Sequence, residues 1–298
     1  MIKMATIYKP IVLFIAIAIS AFAYADTEVY SKEFNKSYSV NSNVTFELNA
    51  SFAEAKIETW DLNMIEIYVK VEVESKSEEK ANQIFDKIDV KIIESSNQIE
   101  LKTDVDVNSN GDDWSITILV KMPKTADLDA SLTFGSLKLQ DIMGKCQIDL
   151  SYGELEASSL LHAENDVKVA FGDSEIEKLG GGEIKVEFGN LEINRITGDA
   201  DLSCNYGDLE IDHISSACKN LKIQIDFGSA SIELDAGANY EIDAYASFGD
   251  ISLPNGAKKS SEKEDFTSKS VKARIGSGSS PGLITARCSF GDADIDID

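Results

Sequence analysis

Carboxylate side chains recur at fixed distances from a repeated aromatic-glycine pair, and they are the residues of this sequence best placed to do chemistry. They occupy the second, fourth and sixth positions after the aromatic residue, where more than half of the positions are acidic. In stacked parallel strands, equivalent positions lie about 4.8 Å apart, so these carboxylates would form ladders along an outer face. The candidate acidic binding face comprises Glu154, Glu156, Asp173, Glu175, Glu192, Asp208 and Glu210.

Stacked carboxylates could serve several kinds of chemistry. They could attract a cationic partner, because neighbouring like charges gain from a counter-charge. They could bind Ca²⁺, which prefers oxygen ligands, although the Gly-Gly-x-Gly-x-Asp repeat of calcium-binding β-rolls is absent. They could also form the carboxylate pair of a polysaccharide-active β-helix enzyme, for which a spacing of roughly 5 Å is suitable. The remaining alternative is a solvated surface without a ligand.

The other reactive residue types argue against an enzyme or a cofactor. Repeats of the same acid give no contrast between a proton donor and a base, and His162 and His213 are isolated in the sequence. The glycines stand one per repeat, whereas a phosphate loop needs several in one turn. The four cysteines lack metal-ligand spacing. Cys204 and Cys288 should lie three or four coils apart, beyond disulfide reach, so we expect free thiols.

A phrase of about 20 residues repeats along most of the chain and implies a solenoid. Successive copies are 17 to 21 residues apart, except for a last interval of 42. The aromatic residues are Phe134, Tyr152, Phe171, Phe188, Tyr206, Phe227, Phe248 and Phe290. The glycines that follow them are Gly135, Gly153, Gly172, Gly189, Gly207, Gly228, Gly249 and Gly291.

The apolar pattern around each pair predicts how a coil is built. Residues two and four positions before the aromatic are mostly apolar; in the coil of Tyr152 they are Leu150 and Ile148. Side chains alternate along a strand, so we expect these residues and the aromatic ring to point inward. Apolar residues resume five positions after the aromatic, an odd distance that requires a corner. We expect glycine to adopt the unusual backbone angles of that corner. A third apolar position, eight after the aromatic, indicates a roughly three-sided coil.

The sequence therefore predicts a mainly β fold, a right-handed parallel β-solenoid (β-helix-like) with coils of about 18 to 21 residues. Residues 26–57 should form N-terminal strands and a degenerate first coil at Phe52-Ala53, and residues 58–122 a small α+β insertion or cap. That insertion should contain a short helix from Ser77 to about Ile88 and a turn at Asn110-Gly111. The repeats occupy 123–298, with a flexible loop insertion at 257–281, rich in Ser, Lys and Gly.

The first 25 residues have the pattern of a signal peptide. Lys3 and Lys9 precede the apolar run from residue 11 to 19, and Ala23-Tyr24-Ala25 is a suitable cleavage site. The run is too short to span a bilayer, so we expect export to the periplasm or cell surface, with no membrane-spanning segment after cleavage. The formal charge of −24 disfavours nucleic acid and favours cations or basic peptides.

Several phrases resemble a bacterial putative-adhesin family of unknown function. They are "PKTADLDASLTFGSLKL", "YGDLEI", "FGDISL" and "GLITARCSFGDADI", and the resemblance extends from about Asn43 to Asp298. It implies a β-solenoid outside the cytoplasm, linked in some members to adhesion or envelope-stress responses, without established catalytic residues.

Together, these observations favour a non-enzymatic, adhesin-like binding or scaffolding protein of the cell envelope. Its partner would be a protein, peptide or glycan at the envelope. One alternative is an envelope-stress sensor that binds cationic peptides through the acidic face. A remote alternative is the polysaccharide-active enzyme.

Overall fold

Strands make up most of the structure, and the region before the regular repeats contains the one helix found in the described residues. The computed structural model describes residues 27–41, 43–107 and 113–297, so the expected signal peptide and the Asn110-Gly111 turn lie outside the described residues. The first elements are β1 (Glu28–Ser39), β2 (Thr45–Ser51), β3 (Ala53–Trp60), β4 (Met64–Ser75), α1 (Glu78–Phe85), β5 (Ile88–Glu94), β6 (Gln98–Val105) and β7 (Asp113–Pro123).

Each regular repeat forms two strands, one before and one after its aromatic-glycine corner. Apolar and polar residues alternate along them, so one side of every strand faces the core. These strands are β8 (Asp127–Thr133), β9 (Ser136–Ile142), β10 (Cys146–Ser151), β11 (Leu155–Leu160), β12 (Asn165–Ala170), β13 (Ser174–Leu179), β14 (Gly182–Glu187), β15 (Leu191–Ile196), β16 (Ala200–Asn205), β17 (Leu209–Ile214), β18 (Asn220–Asp226) and β19 (Ala230–Leu234).

The last part of the described chain contains a hairpin and two further coils. The prediction of a flexible loop at 257–281 is wrong for most of that range, because two strands there pair antiparallel and extend a sheet. The elements are β20 (Tyr240–Ser247), β21 (Ile251–Ser252), β22 (Lys258–Glu264), β23 (Ser268–Ile275), β24 (Gly282–Ser289) and β25 (Ala293–Ile297).

The strands stack into two sheets that enclose the core. The 12-stranded sheet has the order β1-β4-β7-β3-β9-β11-β13-β15-β17-β19-β25-β21, and the 13-stranded sheet has the order β22-β23-β20-β24-β18-β16-β14-β12-β10-β8-β2-β6-β5. The coil strands pair in parallel and in matching register. The predicted mainly β solenoid is thus confirmed.

The coil has two sides, and the expectation of three sides is wrong. In β13, Glu177 and Lys178 are both exposed before Leu179 is buried again. The pairing with β11 skips the same place, passing from Ala157↔Ile176 to Leu160↔Leu179. An irregularity inside the strand therefore restores the inward phase, and the third apolar position belongs to the second strand of the coil.

The corner is built differently from the sequence-based expectation. Positive φ falls on the aromatic residue in every coil, with values from 51° to 59°, and not on the following glycine. The aromatic rings accordingly point outward and are 45% to 60% exposed. The inward placement of the rings and the assignment of unusual backbone angles to the glycines were both wrong.

The corner glycines are required by close packing between coils. A Cβ placed on Gly189 would lie 2.0 Å from the carbonyl oxygen of Gly172, and one on Gly207 would lie 1.9 Å from that of Gly189. Such distances are far below any van der Waals contact, so a side chain would force the backbones apart. The glycines are architectural, as expected, but for a different physical reason.

Residues 58–122 extend both sheets beyond the first coil, because β7 and β4 continue one sheet from β3, and β6 and β5 continue the other from β2. Strands β2 and β3 pair in parallel with β8 and β9, and Phe52 adopts the same positive φ as the later aromatics. Helix α1 begins after Ser77, whose hydroxyl accepts a hydrogen bond from the Lys80 amide at 3.4 Å. It ends at Phe85, three residues before the expected end, and buries Ala81, Ile84 and Phe85.

The final coil in the sequence is inserted between the two coils that precede it. Strand β24 lies between β18 and β20, and β25 lies between β19 and β21. The doubled interval before Phe290 thus reflects a hairpin followed by a return of the chain. Cys288 consequently lies two strands from Cys204, in the order Cys204, Ile225, Cys288, which corrects the expected separation of three or four coils.

Candidate functional site

The outer surface of the 12-stranded sheet carries a column of glutamates in direct register. Glu156 lies opposite Glu175, Glu175 opposite Glu192, and Glu192 opposite Glu210. All four are exposed, since they occupy the outward positions of strands whose alternate residues are buried. We call these four residues the glutamate column. Parallel neighbours are about 4.8 Å apart, so the four charges form one continuous negative strip.

A second acidic column lies at the corner, but hydrogen bonds between coils engage several of its members. The Asp173 carboxylate accepts from the Asn190 amide at 2.7 Å, and the Asp208 carboxylate accepts from the Ser229 amide at 2.8 Å. Between them, the Asn190 side-chain oxygen accepts from the Asp208 amide at 3.0 Å. Asp173 and Asp208 therefore hold successive corners together as well as adding negative charge.

Shallow depressions surround the glutamate column. One, of about 360 Å³, lies between Lys56, Lys138, Glu156 and Glu175. Another, of about 240 Å³, includes Glu154 together with Asp173 and Glu192, and joins the two acidic columns. The structure thus places the seven acids expected in the binding face in two adjacent columns. Glu154, Asp173 and Asp208 lie at the corner before the strands that carry the glutamate column.

Basic residues limit the negative strip at its N-terminal end. Lys138 lies next to Glu156 in the sheet, and its ammonium group contacts both carboxylate oxygens at 2.7 and 2.8 Å. The hydrogen bond and charge of Glu156 raise the pKa of Lys138. Glu175, Glu192 and Glu210 form the part of the column beyond that lysine.

The outer surface of the 13-stranded sheet has acids in a similar arrangement, but with lysines beside them. Asp166 lies opposite Glu183, and Glu183 opposite Asp201. Lys168 contacts Asp166 at 3.1 Å, and Lys222 contacts Asp201 at 3.1 Å. The 12-stranded face therefore has the longer run of adjacent acids, four residues against three.

An exposed stack of aromatic rings runs along the corner between the two sheets. Neighbouring ring centroids are 4.7 to 4.9 Å apart and their planes lie within 15°. The order is Phe52, Phe134, Tyr152, Phe171, Phe188, Tyr206, Phe227, Phe290 and Phe248. Trp114 contacts Phe52 edge-on at 5.7 Å. We call these nine rings the aromatic stack.

The sequence reveals the rings of the aromatic stack but not their direction. An aromatic residue at an even offset from buried residues looks like a core residue, and only its left-handed backbone turns it outward. The stack leaves mainly ring edges open to solvent, because each internal ring has a neighbour on both faces.

Comparison with known proteins identifies the family. The model of the family described as Toastrack DUF4097 matches residues 42–295. The chain belongs to this family. The resemblance to a bacterial putative-adhesin family is confirmed. No curated protein is significantly similar in sequence to this Toastrack chain.

Solved structures with low sequence identity align with this Toastrack chain over most of its length. A putative cell adhesion protein from Clostridium sporogenes shares 12% identity, with 90% of this chain and 100% of the other covered and a TM-score of 0.27. A putative adhesin from Parabacteroides merdae shares 12% identity, with 90% and 96% covered and a TM-score of 0.37. A putative lipid binding protein from Parabacteroides distasonis shares 12% identity, with 89% and 96% covered and a TM-score of 0.42.

The described part of the Toastrack chain lacks the side-chain groupings of several common sites. Among residues 27–41, 43–107 and 113–297, no group of three or more His, Cys, Asp or Glu side chains could hold a metal ion. In the same ranges no helix is long and apolar enough to cross a membrane. The cysteine thiols are buried. Burial raises the pKa of Cys146 to about 12 and that of Cys204 to about 11, so neither is an activated nucleophile.

Proposed function

We propose that this Toastrack protein is an exported, non-enzymatic binding module of the cell envelope that holds cationic partners on its 12-stranded face. The glutamate column is the observation that carries the proposal. Four adjacent carboxylates sum their potentials along one strip, and parallel pairing keeps their four strands in register. An extended peptide with basic side chains on one edge has the complementary charge and shape.

The balance of interactions favours recruitment by charge over tight, specific recognition. Exposed ion pairs are worth roughly 0 to 1 kcal/mol each, so several must form together to hold a peptide. Shallow depressions bury little apolar surface, and charge therefore supplies most of the attraction. Affinity should fall steeply as salt rises, because screening acts over about 8 Å at physiological ionic strength. Adhesion or scaffolding through the same face would share this dependence.

The test measures binding of a fluorescent, lysine-rich peptide to the mature protein by anisotropy, from low to physiological salt. The variant carries Glu175→Gln, Glu192→Gln and Glu210→Gln, which neutralise the column while retaining side-chain size. We expect at least tenfold weaker binding at low salt and a shallower salt dependence.

The matched control carries Asp166→Asn, Glu183→Gln and Asp201→Asn. These substitutions make the same change in net charge on the opposite face, where lysines accompany the acids. The control should bind nearly as well as the parent protein. Equal losses of affinity in both variants would mean that only net charge matters. If the triple-Gln variant keeps the affinity of the parent, the better hypothesis is a scaffold that does not bind peptides.

A further inference from the structure

The inserted final coil creates a strand slot in the solenoid. Residues 282–297, which we call the inserted segment, pair along one side with β18 and β19 and along the other with β20 and β21. Ala286 lies between Ile223 and Ala244, and all three are buried. A central strand is thus supplied by residues that follow both of its neighbours in the sequence.

The slot recognises the features that define a coil of this same protein. The Phe290 ring stacks between Phe227 and Phe248 at 4.7 and 4.9 Å. A Cβ on Gly291 would lie 1.6 Å from the Gly228 carbonyl oxygen, so only glycine fits there. The Asp292 carboxylate accepts a hydrogen bond from the Asp250 amide at 2.7 Å. The occupant must therefore present an aromatic residue, a glycine and an aspartate in succession.

The two walls of the slot are also tied to each other across the inserted segment. Tyr240, at the start of β20, places its hydroxyl 3.0 Å from the Ser215 carbonyl oxygen and 2.9 Å from that of Cys218. Gly282 makes room for this side chain, since a Cβ there would lie 2.5 Å from the Tyr240 ring. The hydrogen-bonded atoms of this tie lie outside residues 282–297, so the tie forms around any strand that has a glycine in the position of Gly282.

A short, exposed connection brings the inserted segment back to its own slot. Residues 276–281 cross the beginning of β20 and bond to the Asn239 side chain, which accepts from the Gly278 amide at 3.0 Å and donates to the Ser280 carbonyl at 3.1 Å. The contacts inside the slot do not depend on which copy provides the strand. Exchange between two copies would preserve them and change only this connection.

We propose that the slot accepts the inserted segment of a second copy of this chain when that segment is kept out of its own slot, and that a strand-exchanged dimer then forms. The aromatic-glycine-aspartate corner supplies the specificity, and parallel pairing on both sides supplies the affinity.

The first experiment deletes residues 276–280 in the full chain, so that only Pro281 joins Ile275 to Gly282. Such a connection spans about 7 Å at full extension, whereas the two strands beside β20 are about 9.6 Å apart, so the segment cannot reach its own slot. Light scattering after size exclusion should show a doubled molar mass with an unchanged circular dichroism spectrum. A control with three extra Gly and Ser residues in the same connection should remain at the mass of the parent. A folded, shortened variant at the parent's mass would overturn the proposal.

The second experiment tests the slot directly by complementation. The full chain with Gly291→Val cannot seat its own corner, and a fluorescent peptide of residues 281–298 is added during refolding. The native peptide should co-elute at about one per chain and raise the thermal midpoint, whereas the same peptide with Gly291→Val should do neither. If the native peptide binds no better than the altered one, the slot does not accept a strand in trans and the proposal fails.

Discussion

Phe227 stacks directly on Phe290, with ring centroids 4.7 Å apart, although the coil that carries Phe248 comes between them in the sequence. Through this contact, the inserted final coil becomes part of the aromatic stack. A non-glycine residue at positive φ costs about 1 to 2 kcal/mol, and an aromatic pair contributes about 0.5 to 1.5 kcal/mol. Strain and stacking are therefore comparable, and the stack helps the aromatic residues to hold the corner.

Removing one internal ring should destabilise the solenoid measurably. Phe188→Ala loses stacking on both Phe171 and Tyr206, so we expect the free energy of unfolding to fall by about 1 to 3 kcal/mol in thermal or urea melts. Phe248→Ala loses its contact with Phe290 and should cost about half as much. Phe266→Ala, at a fully exposed position, is the control. Equal melts for Phe188→Ala and the control would contradict a stabilising stack.

Corner glycines should tolerate no side chain. We expect Gly189→Val or Gly207→Val to lower the free energy of unfolding by about 2 kcal/mol or more, because the new Cβ would overlap a backbone oxygen. Gly237→Ala is a useful comparison, since Gly237 has a φ of 83° and nothing within 4 Å of an added Cβ. That variant should lose only about 1 kcal/mol, from its backbone angle alone. Similar losses at both kinds of site would argue against packing as the cause.

The repeat in the sequence was sufficient to predict the solenoid, but not the details of its corner. Columns such as Ile148, Val167 and Ile184 report inward positions directly, because burial selects apolar residues. The aromatic residues are apolar too, and their outward direction depends on a backbone angle that hydrophobicity does not encode. The sequence does not reveal the position of β24 either, because its apolar residues match those of β18 and those of β20 equally well.

The acidic face was partly predictable for the same reason. The fixed offsets placed Glu175, Glu192 and Glu210 in one column, and these three residues lie in register in neighbouring parallel strands. The hydrogen bonds of Asp173 and Asp208 to the next coil require the distance between a carboxylate and a neighbouring amide, which no spacing in the sequence gives. Their functional role remains the proposal made above.

All four thiols should be free and poorly reactive in the native protein. Burial raises the pKa of Cys218 to about 12 and that of Cys288 to about 11, so very little thiolate forms at neutral pH. We expect slow labelling of the native protein and four reactive thiols per chain in denaturant without reductant. Fewer than four would indicate a disulfide and a different arrangement of the cysteine-bearing strands.

Acid should weaken the junction between coils at Asp199. Its carboxylate accepts from the Asn220 side chain at 2.7 Å and from the Lys219 and Asn220 amides at 2.7 and 2.9 Å, which lowers its pKa. Because the folded pKa lies below the unfolded value of about 3.9, this stabilisation is present above that value and is lost as pH falls through the folded pKa. Asp199→Ala should lower stability at pH 6 and flatten its decline below about pH 4, as measured by urea unfolding.

The exposed Glu164 provides the control for this pH dependence. Its side chain is 76% exposed, and its carboxylate lies 4.0 Å from the Lys145 ammonium group. Glu164→Ala therefore removes only a weak exposed ion pair and should leave the decline in acid close to that of the parent. If Asp199→Ala declines as steeply as the parent and Glu164→Ala, other carboxylates cause the acid sensitivity.

Neutralising the middle of the glutamate column should stabilise the fold at low salt. Glu175 and Glu192 face each other and each has a further glutamate neighbour, so like charges repel along the strip. Glu175→Gln with Glu192→Gln removes three neighbouring repulsions, worth about 0.5 kcal/mol each. The melting temperature should rise at low salt and approach that of the parent at high salt, because salt already screens the repulsion between glutamates in the parent.

Asp173→Asn with Asp208→Asn is the matched change at the corner, where an amide oxygen can still accept the hydrogen bond from the next coil. If the column variant melts below the parent at every salt concentration, the glutamates stabilise the sheet. Their role would then be structural, and the repulsion expected of a binding strip would be absent.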